Sequence, residues 1–146
     1  MYLTLKISLF LHILSAMLIA VSAFGFPVVE SSLRKENSFS LHKLSLNFSR
    51  LARVGGILAI ITGIYNWISI GGAPGWLIVK LILFLWFVIS GIFVGVKYIS
   101  KRESILESKA IPSEELLKIN KAIETYAYVN LAVFIVIVFL AVFKPF

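Results

Sequence analysis

The chain has 146 residues, of which 60% are hydrophobic and 14% charged, with 14 Lys and Arg against 7 Asp and Glu, a net charge of +7 and no cysteine. A mean hydropathy of +0.98, set against the roughly 45–50% apolar content of soluble domains, places the chain in a lipid bilayer. The absence of cysteine excludes disulfides, thiolate metal sites and cysteine-linked cofactors.

A helix needs about 20 mostly apolar residues to cross a bilayer. Four stretches reach that length, approximately residues 3–27, 50–70, 76–97 and 124–143. They predict an all-α fold, an integral membrane antiparallel four-helix bundle, with one domain using the whole chain. The first stretch resembles a secretory signal, since Lys6 precedes an apolar run and Val21-Ser22-Ala23 imitates a cleavage site. It runs on to Phe26 and carries His12, so a retained first helix is expected. Ser8, Ser15 and Ser22 fall on the same helical face as His12. Ionisable groups within a bilayer usually face the bundle interior and serve a site. His12 therefore reads as an iron ligand or proton carrier, or as a histidine that bonds a serine across a helix contact.

The segment after helix 1 carries Arg34, Lys35, Lys43, Arg50 and Arg53, and the one after helix 3 carries Lys97, Lys101, Arg102, Lys109, Lys118 and Lys121. Because positive charge is retained in the cytoplasm, both segments are expected inside and both termini outside, in the inner (cytoplasmic) membrane. The charge then reflects topology and a rim favourable to anionic lipid, with no nucleic-acid partner. Leu41, Leu44, Phe48, Leu51 and Gly55 start helix 2 near Ser40, well before the membrane. His42, in that extension, reads as solvated or interfacial. Pro112, the N-cap Ser113, Glu114 and Glu115 begin helix 4 in the same way, so helices 2 and 4 are expected to extend on the cytoplasmic side. Gly55, Ala59 and Gly63 on helix 2, and Gly91 and Gly95 on helix 3, predict close helix contacts. Arg53, Tyr98, Tyr128 and Asn130 read as an interfacial belt or as a meeting of polar groups at the inner mouth.

Helix 3 opens with Gly75 to Lys80, "GWLIVK", and sets Lys80 in an apolar run. Lys80 either snorkels past Trp76 to the outer headgroups or points into the bundle, because it shares its face with Trp76, Phe87 and Gly91. In the second case it offers a cation near His12, suited to a ligand carboxylate or to proton transfer.

"FLHILSAML" in helix 1, Pro27 where that helix is expected to end, "ITGI" in helix 2, "GWLIVKL" and the terminal "FKPF" together resemble the small four-helix protoporphyrinogen IX oxidases of the HemJ type. The resemblance spans essentially the whole chain and implies haem b held in the bundle. It further implies His12 as the metal ligand, Lys80 as the residue needed for activity, and His12, Lys80 and Trp76 around the cofactor. A porphyrinogen substrate, a quinone acceptor and a homo-oligomer are implied too. Val28 stands where the family typically has arginine after the proline, and Ser90 and Asn130 lie where it often carries other polar residues. Those departures leave a second reading, an accessory subunit of a respiratory or other membrane complex without haem.

Overall fold

A computed structural model describes residues 1–108 and 114–146. Its helices are α1 (Tyr2–Lys35), α2 (Phe39–Ile70), α3 (Gly75–Val94), α4 (Ser100–Glu107) and α5 (Glu114–Phe143), with a π-helical turn at Gly95–Ile99 joining α3 to α4. Counting α3, the wide turn and α4 as one rod, four helices are long and apolar enough to cross a membrane. This is the expected four-helix membrane bundle. The expected cap at Pro112 and Ser113 lies outside the described residues.

The rods run up and down, so the chain ends and the 71–74 turn share one end, here the terminal end, and the basic segments share the other. Gly71 and Gly72 make the turn at φ 78° and 80°, a left-handed backbone that side chains resist. At the terminal end the Trp76 N–H, unpaired within α3 as first-turn amides are, donates to the Phe146 carbonyl at 3.2 Å. The final "KPF" thus closes on the start of α3.

Two features differ from the sequence reading. Pro27 does not end helix 1; it sits inside α1, which continues to Lys35. Proline removes one backbone donor and tends to break helices, but Val29, Glu30 and Leu33 beyond it are buried against the bundle, and that packing carries the helix through. The helical extension past the apolar stretches is also shared by all four rods, since α1 runs to Lys35 and α4 prolongs α3.

α1 lies between α2 and α5, and α3 packs on α5. One apolar cluster, Ile19, Ala23, Phe87 and Phe134, fills the middle. Another, with Phe26, Val94, Ile99, Ile119 and Ile123, lies nearer the basic end. Large apolar side chains cover the outside, including Ile57, Ile68, Ile82, Leu85 and Phe139, as a lipid-facing surface requires. The stripe on α2 makes a close contact: a Cβ on Gly55 would stand 2.9 Å from the Ser15 carbonyl oxygen and 2.9 Å from Ile19 Cγ1. The α3 pair divides. A Cβ on Gly91 would meet only the Tyr126 hydroxyl, at 3.2 Å, and one on Gly95 would meet nothing within 4 Å. Gly95 is no contact point because the wide turn begins there.

Candidate functional site

Two polar centres stand at opposite ends of the bundle. Toward the terminal end, His12 Nδ1 lies 2.8 Å from Thr62 Oγ1, and the Thr62 hydroxyl donates its only hydrogen to the Leu58 carbonyl at 2.6 Å. In the tautomer that suits this arrangement Thr62 Oγ1 accepts from His12, with the imidazole proton on Nδ1 and a bare lone pair on Nε2. A Cβ on Gly63 would come within 3.3 Å of His12 Cε1, so the glycine makes room for the ring. Of the expected serine stripe, Ser8 joins this contact. Ser8 donates to the Thr62 carbonyl at 3.5 Å, Ser15 to the His12 carbonyl at 2.6 Å and Ser22 to the Phe48 carbonyl at 2.7 Å.

Lys80, half-buried on α3, stands within electrostatic range of His12, and no hydrogen bond or ion pair holds its amino group among the described residues. One turn from Thr62 on α2, Asn66 is buried, and its Oδ1 has no partner among the described residues. Trp76 lies farther toward the terminal end, its ring 5.7 Å from Lys144 Nζ. Lys80 on α3 is thus within electrostatic range of His12, and Trp76 stands in the first turn of α3.

The second centre escaped the sequence reading. Near the basic end, Arg102 is 0% and Glu30 1% exposed, and they form a bidentate pair, Nη1 to Oε2 at 2.6 Å and Nη2 to Oε1 at 2.9 Å. Arg102 also donates to Ser45 Oγ at 3.4 Å, Asn120 Oδ1 at 3.5 Å and His42 Nδ1 at 3.1 Å, so all five of its N–H groups are used. Ser45 gives its hydroxyl to Glu30 at 2.6 Å, and Asn120 reaches Asn37 at 3.0 Å. Four segments, α1, α2, α4 and α5, meet on one guanidinium.

His42 is fully buried and not solvated as expected, because α4 and the extended part of α1 close over it. A guanidinium only donates, so His42 is neutral with its proton on Nε2, which has no partner among the described residues. It lies eight residues outside the apolar stretch 50–70. Burial first, and the Arg102 charge second, pull its pKa down to about 4.

The residues expected at the inner mouth do not gather. Arg53 is exposed, Tyr98 packs edge-on to Phe93, Tyr128 pairs with Ser31 at 3.1 Å and the buried Asn130 Oδ1 has no partner among the described residues. Among the described residues no group of three or more His, Cys, Asp or Glu side chains is placed to hold a metal ion.

Residues 6–145 match the family described as a predicted integral membrane protein, DUF2269. The chain belongs to this family. No curated protein and no solved structure matches it. Membership in DUF2269 agrees with the four apolar rods and the lipid-facing surface, and makes the chain an integral membrane protein.

Proposed function

We propose that this DUF2269 protein is a b-type haem protein of the membrane that carries redox chemistry like that of the protoporphyrinogen IX oxidases, with His12 as iron ligand. The observation that carries the reading is the His12 to Thr62 hydrogen bond. Histidines that bind a metal through one ring nitrogen almost always donate the other N–H to a fixed acceptor, which sets the tautomer and the ring orientation. His12 has that arrangement, with Nδ1–H held at 2.8 Å and Nε2 free to coordinate. The donor set thus fits a haem with one protein ligand, and Gly63 provides the cradle for the ring.

Bound haem would supply one-electron chemistry between a porphyrinogen and a membrane quinone. The chain's own part is to hold and to orient. Thr62, tied to the Leu58 carbonyl, keeps His12 from rotating. Lys80, whose amino group has no partner among the described residues, would pair with a propionate, in a low-dielectric setting where such a pairing is strong, and Trp76 would cover the rim.

The test is the absorption spectrum of protein purified from haem-replete cells. A Soret band is expected, His12→Ala should abolish it, and Thr62→Val should weaken haem affinity roughly 10–100-fold. Lys80→Met should lower haem retention while leaving the fold intact. A parent protein without a Soret band, or one indifferent to His12→Ala, overturns the reading in favour of an accessory membrane subunit.

A further inference from the structure

The rod from Gly75 to Glu107 changes phase along its length. In α3 the buried residues are Phe87 and Val94. Past the wide turn they are Ile99, Arg102 and Leu106. An unbroken α-helix turns about 100° per residue, so one that holds Phe87 and Val94 inward would carry Tyr98, Lys101 and Ile105 inward instead. The π turn takes up one extra residue and thereby moves the inward stripe along by one position. Ser100 stabilises the wide turn twice, since its backbone N–H and its hydroxyl both donate to the Gly95 carbonyl, the hydroxyl at 3.1 Å.

The two stripes are chemical near-duplicates. Each inward residue is preceded by one of similar kind: Tyr98 before Ile99, Lys101 before Arg102, Ile105 before Leu106. Tyr98 and Ile105 already pack on the edge of the core. The Lys101 side chain is 55% exposed and, among the described residues, its one ion pair is with the similarly accessible Glu115, so little holds it outside. A Cβ on Gly95 would meet nothing within 4 Å. A chance helix extension past a π turn has no need of a second stripe that fits the same core and the same carboxylate.

We propose that the Gly95–Ile99 turn is a register switch: wound as a π turn it sets Arg102 on Glu30, and wound as an α-helix it sets Lys101 there, with Tyr98 and Ile105 replacing Ile99 and Leu106. The conversion rotates α4 by about 100° and shifts it by about 1.5 Å. An ammonium gives Glu30 a point charge in place of a two-pronged contact. It also withdraws the donors that Arg102 gives to His42, Ser45 and Asn120. The α-wound state therefore leaves the basic end looser and is the minor one, a latch that opens α4 from α1, α2 and α5 without losing charge compensation at Glu30.

The experiment measures the thermal midpoint in detergent for Lys101→Met, Arg102→Met and the double substitution, in the full chain and in a chain lacking Val96. Val96 is 72% exposed, and its deletion removes the extra residue, so that the rod winds α throughout with the arginine still inward and Lys101 unable to take its place. In the full chain, Lys101→Met should leave the midpoint unchanged, Arg102→Met should lower it partly, and the double substitution should lower it much further. In the shortened chain Arg102→Met alone should fall as far as the double. Because the protein has no cysteine, single cysteines report the rotation directly: in Arg102→Met, a cysteine at position 106 should gain reactivity toward a thiol reagent and one at position 105 should lose it. Equal loss for Arg102→Met and the double substitution in the full chain, including failure of both to fold, overturns the switch. So does unchanged labelling at 105 and 106.

Discussion

Replacing Glu30 by glutamine keeps the size of the side chain and removes the only carboxylate on Arg102. Both oxygens of Glu30 are engaged, at 2.6 and 2.9 Å from the guanidinium, and neither side chain has measurable contact with solvent. The amide in Glu30→Gln would still offer one acceptor, yet it would turn N–H groups toward N–H groups, and the buried cation would lack a counterion. Losing one partner of a buried pair costs about 3–5 kcal/mol, which for a chain of this size corresponds to a fall of roughly 6–20 °C in the thermal midpoint. The pair Arg34–Glu124 is an internal control, since its separation is 2.9 Å but Arg34 is 55% exposed; Glu124→Gln should cost no more than about 1 kcal/mol. Thermal unfolding of both variants in one detergent gives the comparison. Should Glu30→Gln unfold within about 1 kcal/mol of the parent, or should the two variants lose equal stability, burial is not what makes this pair matter and the reasoning fails.

Gly55→Ala should destabilise by about 1–3 kcal/mol, because its methyl would press on the backbone oxygen of Ser15, which has no rotamer to escape into; Gly95→Ala, facing open space, should be neutral, and equal midpoints for the two would refute the assigned contact. Stability should also depend on pH through His42. Its pKa falls from 6.5 unfolded to about 4 folded, so between those values the unfolded chain holds the extra proton, and stability rises with pH across that window and is lost as pH falls through it. His42→Asn, an acceptor for Arg102 that does not titrate, should flatten the unfolding midpoint over this range, and an unflattened curve would locate the dependence elsewhere.

The number of helices, the face of His12 and the α2 stripe were legible because each rests on a local pattern: an apolar run, a repeat on one face, a small residue every fourth position. The Gly91 and Gly95 pair satisfies the same pattern as Gly55 and Ala59, yet only the α2 stripe meets a neighbouring backbone. Sequence spacing specifies that a face is smooth, and which helix comes against it is decided by the rest of the bundle. The Glu30 and Arg102 centre was hidden for two physical reasons. Pro27 suggested a helix end, which left Glu30 in a connecting segment, whereas tertiary packing continued α1 and placed Glu30 on the buried face that Ser8, Ser15 and Ser22 had already marked. The π turn then shifted the phase of α4, so that a periodic reading of the third rod points Lys101 inward and Arg102 away.

α1 carries both centres. His12 and Glu30 are 18 residues apart, about 27 Å at 1.5 Å per residue, too far for one site, yet both bind the same neighbour: His12 and Ser8 hold Thr62, and Glu30 holds Ser45. Between them Gly55 brings the α1 and α2 backbones together at Ser15. A tight contact in the middle with a polar clamp at each end fixes the rotation and the height of α1 on α2, which an apolar contact in lipid does poorly, since acyl chains are as good a solvent for leucine as another helix is. The orientation of the imidazole at one end therefore depends on a pair of helices whose other end is held by Arg102. A change that releases Arg102 leaves α1 tied at its basic end by Ser45 on Glu30 and by the Arg34–Glu124 pair, with Gly55 between those contacts and His12.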